Sequence, residues 1–190
     1  MPDGELDTNI ARCLTGDQAG YDALYDQYAA ALYRLCYSLL LNREDAEDVT
    51  QESFVYAFRN LHRFNPQKSS LKTWLFTIAI CRCRNMYRRS RPPLIDLGQL
   101  LHLVGSKADA PDALFAHQTA QEAVEQALGR LSPRLRESIV LRYGHGLTYR
   151  EMAEVMGCPQ KTAESRVRLA HEALRGLLQG QDLLEELASI

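Results

Sequence analysis

The sequence contains no run of apolar residues near the roughly 18–20 that a membrane-spanning helix requires. Its first residues, Met1 to Glu5, are polar and acidic, which is not the pattern of a secretory signal peptide. The 5 cysteines are an odd number and lack the regular spacing of a disulfide framework. These absences predict a reduced, cytoplasmic protein with no membrane partner.

Motifs typical of enzymes are also missing. There is no Gly-x-Ser-x-Gly nucleophile motif and no glycine-rich phosphate loop. His171-Glu172 is not followed by the second histidine of a zinc-protease helix. Cys81 and Cys83 are one residue too close for a zinc or redox pair, and on a helix their thiols diverge by about 200°. We therefore expect no enzyme, no cofactor, no metal site and no small-molecule substrate.

Charge is unevenly distributed along the 190 residues, although the net charge is only −2. Residues 1–58 contain 11 acidic and 3 basic residues, whereas residues 59–91 contain 9 basic residues and no acidic ones. Residues 128–175 are again basic, with a net charge of +4. Such alternation predicts more than one kind of partner: polyanions at the basic segments and a basic surface at the acidic one.

Helix-period patterns dominate and strand signals are nearly absent. The predicted helices lie at about 17–41, 42–60, 70–89, 112–130, 133–143, 148–156 and 160–178. Between the third and fourth helices, proline and glycine punctuate a short apolar run, which is typical of a linker. The prediction is an all-α protein with two small helical domains, 1–91 and 112–190, joined by a flexible linker, 92–111. Residues 176–190 form either a helix packed on the second domain or a regulatory tail.

The last predicted helices have the pattern of a helix-turn-helix. Thr148 and Glu151 form a capping box that opens the first helix, and Gly157 permits the turn after it. The apolar face of the second helix consists of Ala163, Val167, Ala170 and Leu174. The remaining sides carry hydrogen-bond donors suited to DNA, namely Lys161, Thr162, Ser165, Arg166 and Arg168. We predict DNA binding here; a solvated helical hairpin is the alternative.

The basic middle segment is a second candidate for nucleic-acid binding. Before its helix, the sequence offers an aromatic ring, an amide and hydroxyls at Phe64, Asn65, Ser69 and Ser70. The helix itself adds polar and basic residues at Lys72, Thr73, Thr77, Arg84, Arg88 and Arg89. This combination suits an unstacked base and its backbone. The alternative is a basic helix that only aids solubility.

The second predicted helix carries carboxylates on one face, because Asp45, Asp48 and Glu52 are three and four residues apart. Ala46, Val49, Ala57 and Leu61 point away from them toward the predicted core. The carboxylates could hold a divalent cation, be solvated, or contact a basic partner helix. Since no histidine or other ligand converges on them, we expect no metal.

Three stretches together carry a family resemblance. They are Asp45-Ala46-Glu47-Asp48-Val49-Thr50-Gln51-Glu52-Ser53-Phe54, the segment from Phe64 through Leu71-Lys72-Thr73-Trp74-Leu75, and the helix-turn-helix near the C-terminus. In this order they resemble a bacterial RNA polymerase sigma factor of the small two-domain, extracytoplasmic-function group, within the primary sigma family.

The resemblance implies a function for each part. Asp45, Asp48, Gln51 and Glu52 would contact the clamp helices of the β′ subunit of core RNA polymerase, with the β subunit as a further contact. The segment from Phe64 to Arg89 would melt and recognise the minus-ten element of promoter DNA, and the helix-turn-helix would recognise the minus-thirty-five element. The resemblance also implies an anti-sigma factor that holds the protein inactive.

Two other functions remain open from the residues alone. One is a helix-turn-helix repressor or activator that is not a polymerase subunit and uses its first domain to dimerise. The other is a protein-interaction module whose basic segments contact an acidic protein. Polymerase binding that depends on the acidic residues would distinguish the sigma factor from both.

Overall fold

The structure is a computed structural model that describes residues 3–89 and 120–178. Within these two ranges every regular element is helical. The first range contains α1 (Asp3–Leu14), α2 (Gln18–Leu40), α3 (Arg43–Arg59), a 3-10 turn (Leu61–Arg63) and α4 (Leu71–Arg89). The second contains α5 (Ala120–Arg130), α6 (Pro133–Ile139), a π-helical turn (Val140–Gly144), α7 (Tyr149–Met156) and α8 (Gln160–Leu178). The all-α prediction is confirmed, while the predicted linker 92–111 and most of the tail lie outside the described residues.

Side-chain caps set the boundaries of the first helices. Asp17 accepts a hydrogen bond from the backbone of Ala19 at the start of α2, and Asn42 accepts one from Asp45 at the start of α3. The end of α2 is unusual because Leu41 adopts the left-handed conformation, with φ of 55°, that glycine usually supplies. Its N–H donates to the Tyr37 carbonyl at 2.7 Å, which satisfies one of the last carbonyls of the helix.

Helices α2, α3 and α4 enclose the core of the first domain. The predicted inner face of α3 is confirmed, since the side chains of Ala46, Val49, Ala57 and Leu61 are buried. On α4 the buried residues are Leu71, Leu75, Phe76, Ala79 and Ile80. Helix α1, which the sequence did not predict, packs along α2, where Gly20 lies so close to α1 that a Cβ would clash with the Asn9 carbonyl at 2.9 Å.

The second domain contains the predicted helix-turn-helix. Thr148 and Glu151 form the complete capping box at the start of α7, and Gly157 ends α7 with φ of 62°. The inner face of α8 is buried at Ala163, Val167 and Ala170, and Leu174 is half-buried. The predicted helix at 133–143 is instead α6 followed by the π-helical turn, a wider local winding of the chain.

The two domains pack directly against each other. Helix α7 lies against α4, and the π-helical turn and α6 contact α2. As a result, the buried apolar residues of both domains form one continuous cluster. These contacts between α2 or α4 and residues 120–178 are called the domain interface below. The sequence analysis did not predict this interface.

Candidate polymerase and nucleic-acid interfaces

The acidic residues of α3 face outward, opposite its buried face. Asp48, Gln51 and Glu52 are exposed and Asp45 is half-buried. We call these four residues the acidic surface. Two apolar side chains, Val55 and Tyr56, continue it along α3 and are 49% and 43% exposed. A row of carboxylates beside exposed apolar groups is suited to a basic, amphipathic protein partner. The charge pattern of the sequence does not reveal Val55 and Tyr56, because both side chains are uncharged.

One carboxylate of the acidic surface already has a cation beside it. Arg82, on α4, donates to Glu52 at 2.6 Å and lies over the Tyr56 ring, with its guanidinium carbon 5.4 Å from the ring centre. Helix α4 therefore supplies a positive charge at the edge of the acidic surface. Since the Glu52 side chain is 64% exposed, this ion pair is open to solvent and contributes little to stability.

The loop before α4 is more structured than the sequence suggests. Phe64 is half-buried, with its ring centre 5.5 Å from that of Trp74. Asn65 is exposed, and its side chain accepts a hydrogen bond from the backbone of Gln67. The Ser70 hydroxyl accepts from the Thr73 backbone at 3.1 Å and so caps α4, while Ser69 is half-buried.

On α4, the structure corrects the predicted polar surface at two positions. Thr73 is only 3% exposed, and its hydroxyl pairs with that of Ser70, so it faces inward. Arg84 is 22% exposed and forms two hydrogen bonds to Glu137, on α6, at 2.9 and 2.7 Å. A local pattern could not reveal either result, because both depend on what packs against the helix.

The other predicted residues of α4 have different surroundings. Lys72 is half-buried and donates to the carbonyl of His145 at 3.0 Å. Thr77 lines an open groove between α3 and α4, together with Tyr56, Trp74, Ile78, Cys81, Arg82 and Asn85. Arg88 and Arg89 are exposed at the end of the helix. Part of α4 thus remains open, while the side that carries Lys72 and Arg84 faces the second domain.

Helix α8 presents its predicted residues to solvent. Lys161, Ser165 and Arg168 are exposed, and Thr162 and Arg166 lie half-buried at the edges of that surface, as predicted. Arg168 pairs with Glu172 one turn later at 2.7 Å, with both side chains more than half exposed. The Nη1 atom of Arg166 is buried without a hydrogen-bond partner in the described part of the chain.

The domain interface contains a histidine in an unusual environment. The His145 ring packs edge-on against Phe76 of α4, with ring centres 4.8 Å apart. Burial, reinforced by the positive charges of Lys72 and Arg34, lowers the pKa of His145 to about 4. The imidazole is therefore neutral at physiological pH.

The domain interface also contains a buried cation that the sequence analysis missed. Arg136, on α6, donates to the Leu39 carbonyl at the end of α2 at 2.6 Å. It also donates to Leu128 and Gly129, near the end of α5, at 2.7 and 2.9 Å. The Tyr87 hydroxyl donates to the same Leu39 carbonyl. One guanidinium thus satisfies carbonyls at the ends of helices in both domains, where the helix dipoles favour a cation.

The described residues show neither of two further kinds of site. In residues 3–89 and 120–178, no three histidine, cysteine or acidic side chains are grouped to hold a metal ion. No helix in those same ranges is long and apolar enough to cross a membrane.

Comparisons with known proteins show the family to which this chain belongs. Residues 24–92 match the family described as Sigma-70 region 2, and residues 121–174 match Sigma-70, region 4. The chain is 32% identical over 178 residues to the RNA polymerase sigma-H factor of Pseudomonas aeruginosa, which covers 90% of this chain and 92% of that protein. It is 28% identical over 175 residues to the ECF RNA polymerase sigma factor SigW of Bacillus subtilis, over 87% of this chain and 92% of SigW.

A solved structure supports the same family. The structure of CnrH in complex with the cytosolic domain of CnrY matches with a TM-score of 0.68 and 27% identity, over 92% of this chain and 97% of CnrH. The chain therefore combines a first domain that has an acidic and a basic helix with a second domain that contains a helix-turn-helix, and this combination is typical of one class of transcription protein. The chain is a member of the sigma-70 family of bacterial sigma factors, in its extracytoplasmic-function group. As such it directs the initiation of transcription and is not expected to be an enzyme.

Proposed function

We propose that this sigma factor binds core RNA polymerase through its acidic surface and recognises two promoter elements with its two domains. Residues 1–91 would contact the polymerase and melt and recognise the minus-ten element, and residues 112–190 would recognise the minus-thirty-five element. Residues 92–111 would connect them, and the length of this connection would limit the promoter spacings that are accepted. We also propose a cytoplasmic location, where polymerase and promoter DNA are found.

The geometry of α3 carries the polymerase part of this proposal. Asp48, Gln51 and Glu52 are exposed on the side of α3 opposite the core, and Val55 and Tyr56 extend the surface. A partner helix with basic and apolar residues, such as a clamp helix of the β′ subunit, would complement both the charge and the apolar area. The β subunit is proposed as a second contact on the resemblance alone.

The arrangement of α8 supports DNA recognition by the second domain. A buried inner face fixes the helix on α6 and α7, while Lys161, Thr162, Ser165, Arg166 and Arg168 lie on its other sides. Helix-turn-helix proteins place such a helix in the major groove, where these donors bond to phosphates and base edges.

The first domain would act on unpaired bases. Thr77 lies in the open groove beside Trp74 and Tyr56, and Arg88 and Arg89 are exposed at the end of the same helix. Aromatic rings beside cations are suited to stacked bases and their phosphates. Contacts to captured bases would offset the cost of unstacking the duplex, about a few kcal/mol per step, while the polymerase performs the chemistry.

An anti-sigma factor is proposed as a further partner. The structure of the sigma factor RpoE with the anti-sigma factor NepR from Bartonella quintana matches this chain with a TM-score of 0.64 and 27% identity, over 85% of this chain and 98% of RpoE. The likeness to a sigma factor captured with its inhibitor supports the proposal of such an inhibitor here, without identifying it.

The deciding experiment is co-elution with bacterial core RNA polymerase in size-exclusion chromatography. We expect the wild type to co-elute and Asp48→Arg to be lost from the complex, because the reversed charge would repel a basic partner helix. Asp7→Arg, an equal reversal at an exposed position of α1, is the matched control and should co-elute like the wild type.

Two results would contradict the proposal. Equal co-elution of Asp48→Arg and the wild type would remove the acidic surface from the docking site. If the wild type does not bind core polymerase while it still binds duplex DNA, the conventional helix-turn-helix regulator becomes the better description of this chain.

A further inference from the structure

Two open grooves meet between α3 and α4, and two side chains belong to both of them. The first groove runs along the acidic surface, where Asp48 and Glu52 line it together with Tyr56 and Arg82. The second is the groove around Trp74 and Thr77 described above, which Tyr56 and Arg82 also line. We call them the acidic groove and the aromatic groove. Tyr56 and Arg82 therefore connect the surface proposed for polymerase with the surface proposed for unpaired bases.

The guanidinium of Arg82 is engaged on the side of the acidic groove. Its Nη1 atom donates to a carboxylate oxygen of Glu52 at 2.6 Å, and its Cζ atom lies 5.4 Å from the centre of the Tyr56 ring. Its Nε atom is buried and has no hydrogen-bond partner among the described residues. A buried donor without a partner carries a free-energy cost. This arrangement thus leaves part of the hydrogen-bonding capacity of Arg82 unused.

The contact between Arg82 and Glu52 can be exchanged for another. The Glu52 side chain is 64% exposed, so solvent screens the ion pair and the pair contributes little to stability. The arginine side chain can change its staggered rotamers without a change in the backbone. A second cation that approaches the exposed carboxylate of Glu52 can therefore replace Arg82.

The aromatic groove lacks a cation of its own apart from Arg82. Among the described side chains that line it, Arg82 is the only charged one. Trp74 and Tyr56 offer aromatic rings to a base, but a phosphate also needs a positive charge. The guanidinium lies over the Tyr56 ring, which is 43% exposed. If Arg82 turned away from Glu52, the groove would gain both a cation for a phosphate and an uncovered ring for a base.

We propose that Arg82 has two alternative partners: Glu52 in the free protein, and a phosphate of single-stranded DNA in the aromatic groove once a basic group of the polymerase binds Glu52. The proposal rests on the proposed function, since it joins the two surfaces assigned there. Glu52 and a phosphate are both anions and repel each other, so they compete for the single guanidinium. Polymerase and single-stranded DNA therefore raise each other's affinity through Arg82, because such a coupling acts equally in both directions.

The first test measures binding of a fluorescein-labelled single-stranded oligothymidine to the full-length protein by anisotropy, without polymerase. Glu52→Gln imitates the state in which Glu52 no longer holds Arg82. It should bind the oligonucleotide about fivefold more tightly than the wild type, the upper end of what an exposed ion pair contributes. Glu47→Gln is the matched control, since Glu47 is another acid of α3 and pairs at 2.9 Å with Arg43 of its own helix. It removes the same charge and should change the affinity by less than about twofold.

A double-mutant cycle tests whether the effect passes through Arg82. Arg82→Met should bind the oligonucleotide more weakly than the wild type, because the groove loses its cation. In that background Glu52→Gln should no longer increase the affinity, since there is no guanidinium to release. Arg82→Lys keeps the positive charge and should retain part of the increase.

The second test measures the affinity of Arg82→Met for core polymerase by competition with labelled wild-type protein. This variant should bind the polymerase about twofold to fivefold more tightly than the wild type, because no internal cation competes for Glu52. Its effects on the two ligands thus have opposite signs. A variant that is damaged in its fold, which circular dichroism would show, loses affinity for both.

Three results would overturn the inference. Equal effects of Glu52→Gln and Glu47→Gln on oligonucleotide binding would show a general effect of charge. Additive effects of Glu52→Gln and Arg82→Met would show that the two residues act independently, and weaker polymerase binding by a folded Arg82→Met would show that Arg82 supports docking instead. If the wild type does not bind core polymerase, the proposed function fails, while the oligonucleotide cycle still decides whether Arg82 exchanges between Glu52 and DNA.

Discussion

Helices α4 and α8 are each 19 residues long and both carry basic residues, yet their surroundings differ. On α4, Lys72, Arg82 and Arg84 are bonded to His145, Glu52 and Glu137, each on another element of the protein. On α8, Lys161 and Ser165 are exposed and Arg168 pairs only within its own helix.

The difference shows that a helix can be rich in basic residues while few of those residues are free to bind a ligand. Under the proposed function, duplex binding by α8 would need no rearrangement of the described residues, whereas a ligand could reach Lys72 and Arg84 only if the second domain moved away from α4. The acidic surface on α3 is exposed, as α8 is.

The largest expected effect tests what holds the second domain over α4. Replacing the buried cation with an apolar chain of similar length, Arg136→Met, removes the side-chain donor from the Gly129 carbonyl and one of two donors from each of the Leu39 and Leu128 carbonyls. We expect a loss of about 3 kcal/mol or more in the free energy of unfolding. Arg134→Met, at a half-exposed neighbouring position, should cost far less. Urea unfolding of both variants makes the measurement, and equal losses would contradict this role of Arg136.

The next effect concerns α8 alone. Arg168→Ala should weaken binding to a labelled mixed-sequence DNA duplex by about 1 kcal/mol, or roughly fivefold, and reduce its salt dependence. Its effect on unfolding should stay within about 0.5 kcal/mol, since the side chain is solvated. Arg175→Ala, at an exposed position near the end of the same helix, serves as the control. If both variants bind alike, the duplex does not contact the predicted side of α8.

A moderate effect is expected from pH. The pKa of His145 is lowered from the ordinary 6.5 to about 4 in the folded protein, so between these pH values the unfolded chain binds a proton that the folded one does not. Stability that depends on neutral His145 is therefore present above about pH 6.5 and declines as the pH falls toward 4. Thermal unfolding of the wild type should shift downward between pH 7 and pH 5 more than that of His145→Asn. A shift of equal size in both would show that other groups are responsible.

The smallest expected effect is a difference in reactivity between two cysteines on opposite sides of α4. Cys81 is exposed, whereas Cys83, two residues later, is buried. The hydrogen bond with Cys36, together with burial, raises the pKa of the Cys83 thiol, which keeps it protonated and unreactive. A thiol reagent followed by peptide mass spectrometry should modify Cys81 long before Cys36 or Cys83. Early modification of Cys83 would mean that α4 separates readily from α2.

Much of the architecture could be predicted because it depends on local rules. The Asn42 cap, the capping box at Thr148 and Glu151, the turn at Gly157 and the inner face of α8 all follow from residues within one or two turns of each other. Helix α1 was not predicted, although Leu6, Ile10 and Cys13 recur at helical spacing, and its position depends on packing along α2.

The burial of Thr73 and the pairing of Arg84 have a common physical cause. Thr73 and Arg84 share the predicted polar side of α4, but burial of the first and pairing of the second depend on residues elsewhere in the fold. Glu137 lies 53 residues from its partner Arg84, so no local period connects them. A lone acid directly after Arg134 and Arg136 was the available signal, and a helix surface often carries such mixtures.

Gly129 lies where α5 approaches the end of α2. A methyl group at this position would lie 3.4 Å from the Cδ1 atom of Leu41, the residue that ends α2 in a left-handed conformation, which is ordinary van der Waals contact. The Gly129 carbonyl accepts a hydrogen bond from Arg136, and the same guanidinium donates to the Leu39 carbonyl. One arginine side chain therefore joins the backbones of two helix ends at a position where α5 has no side chain of its own.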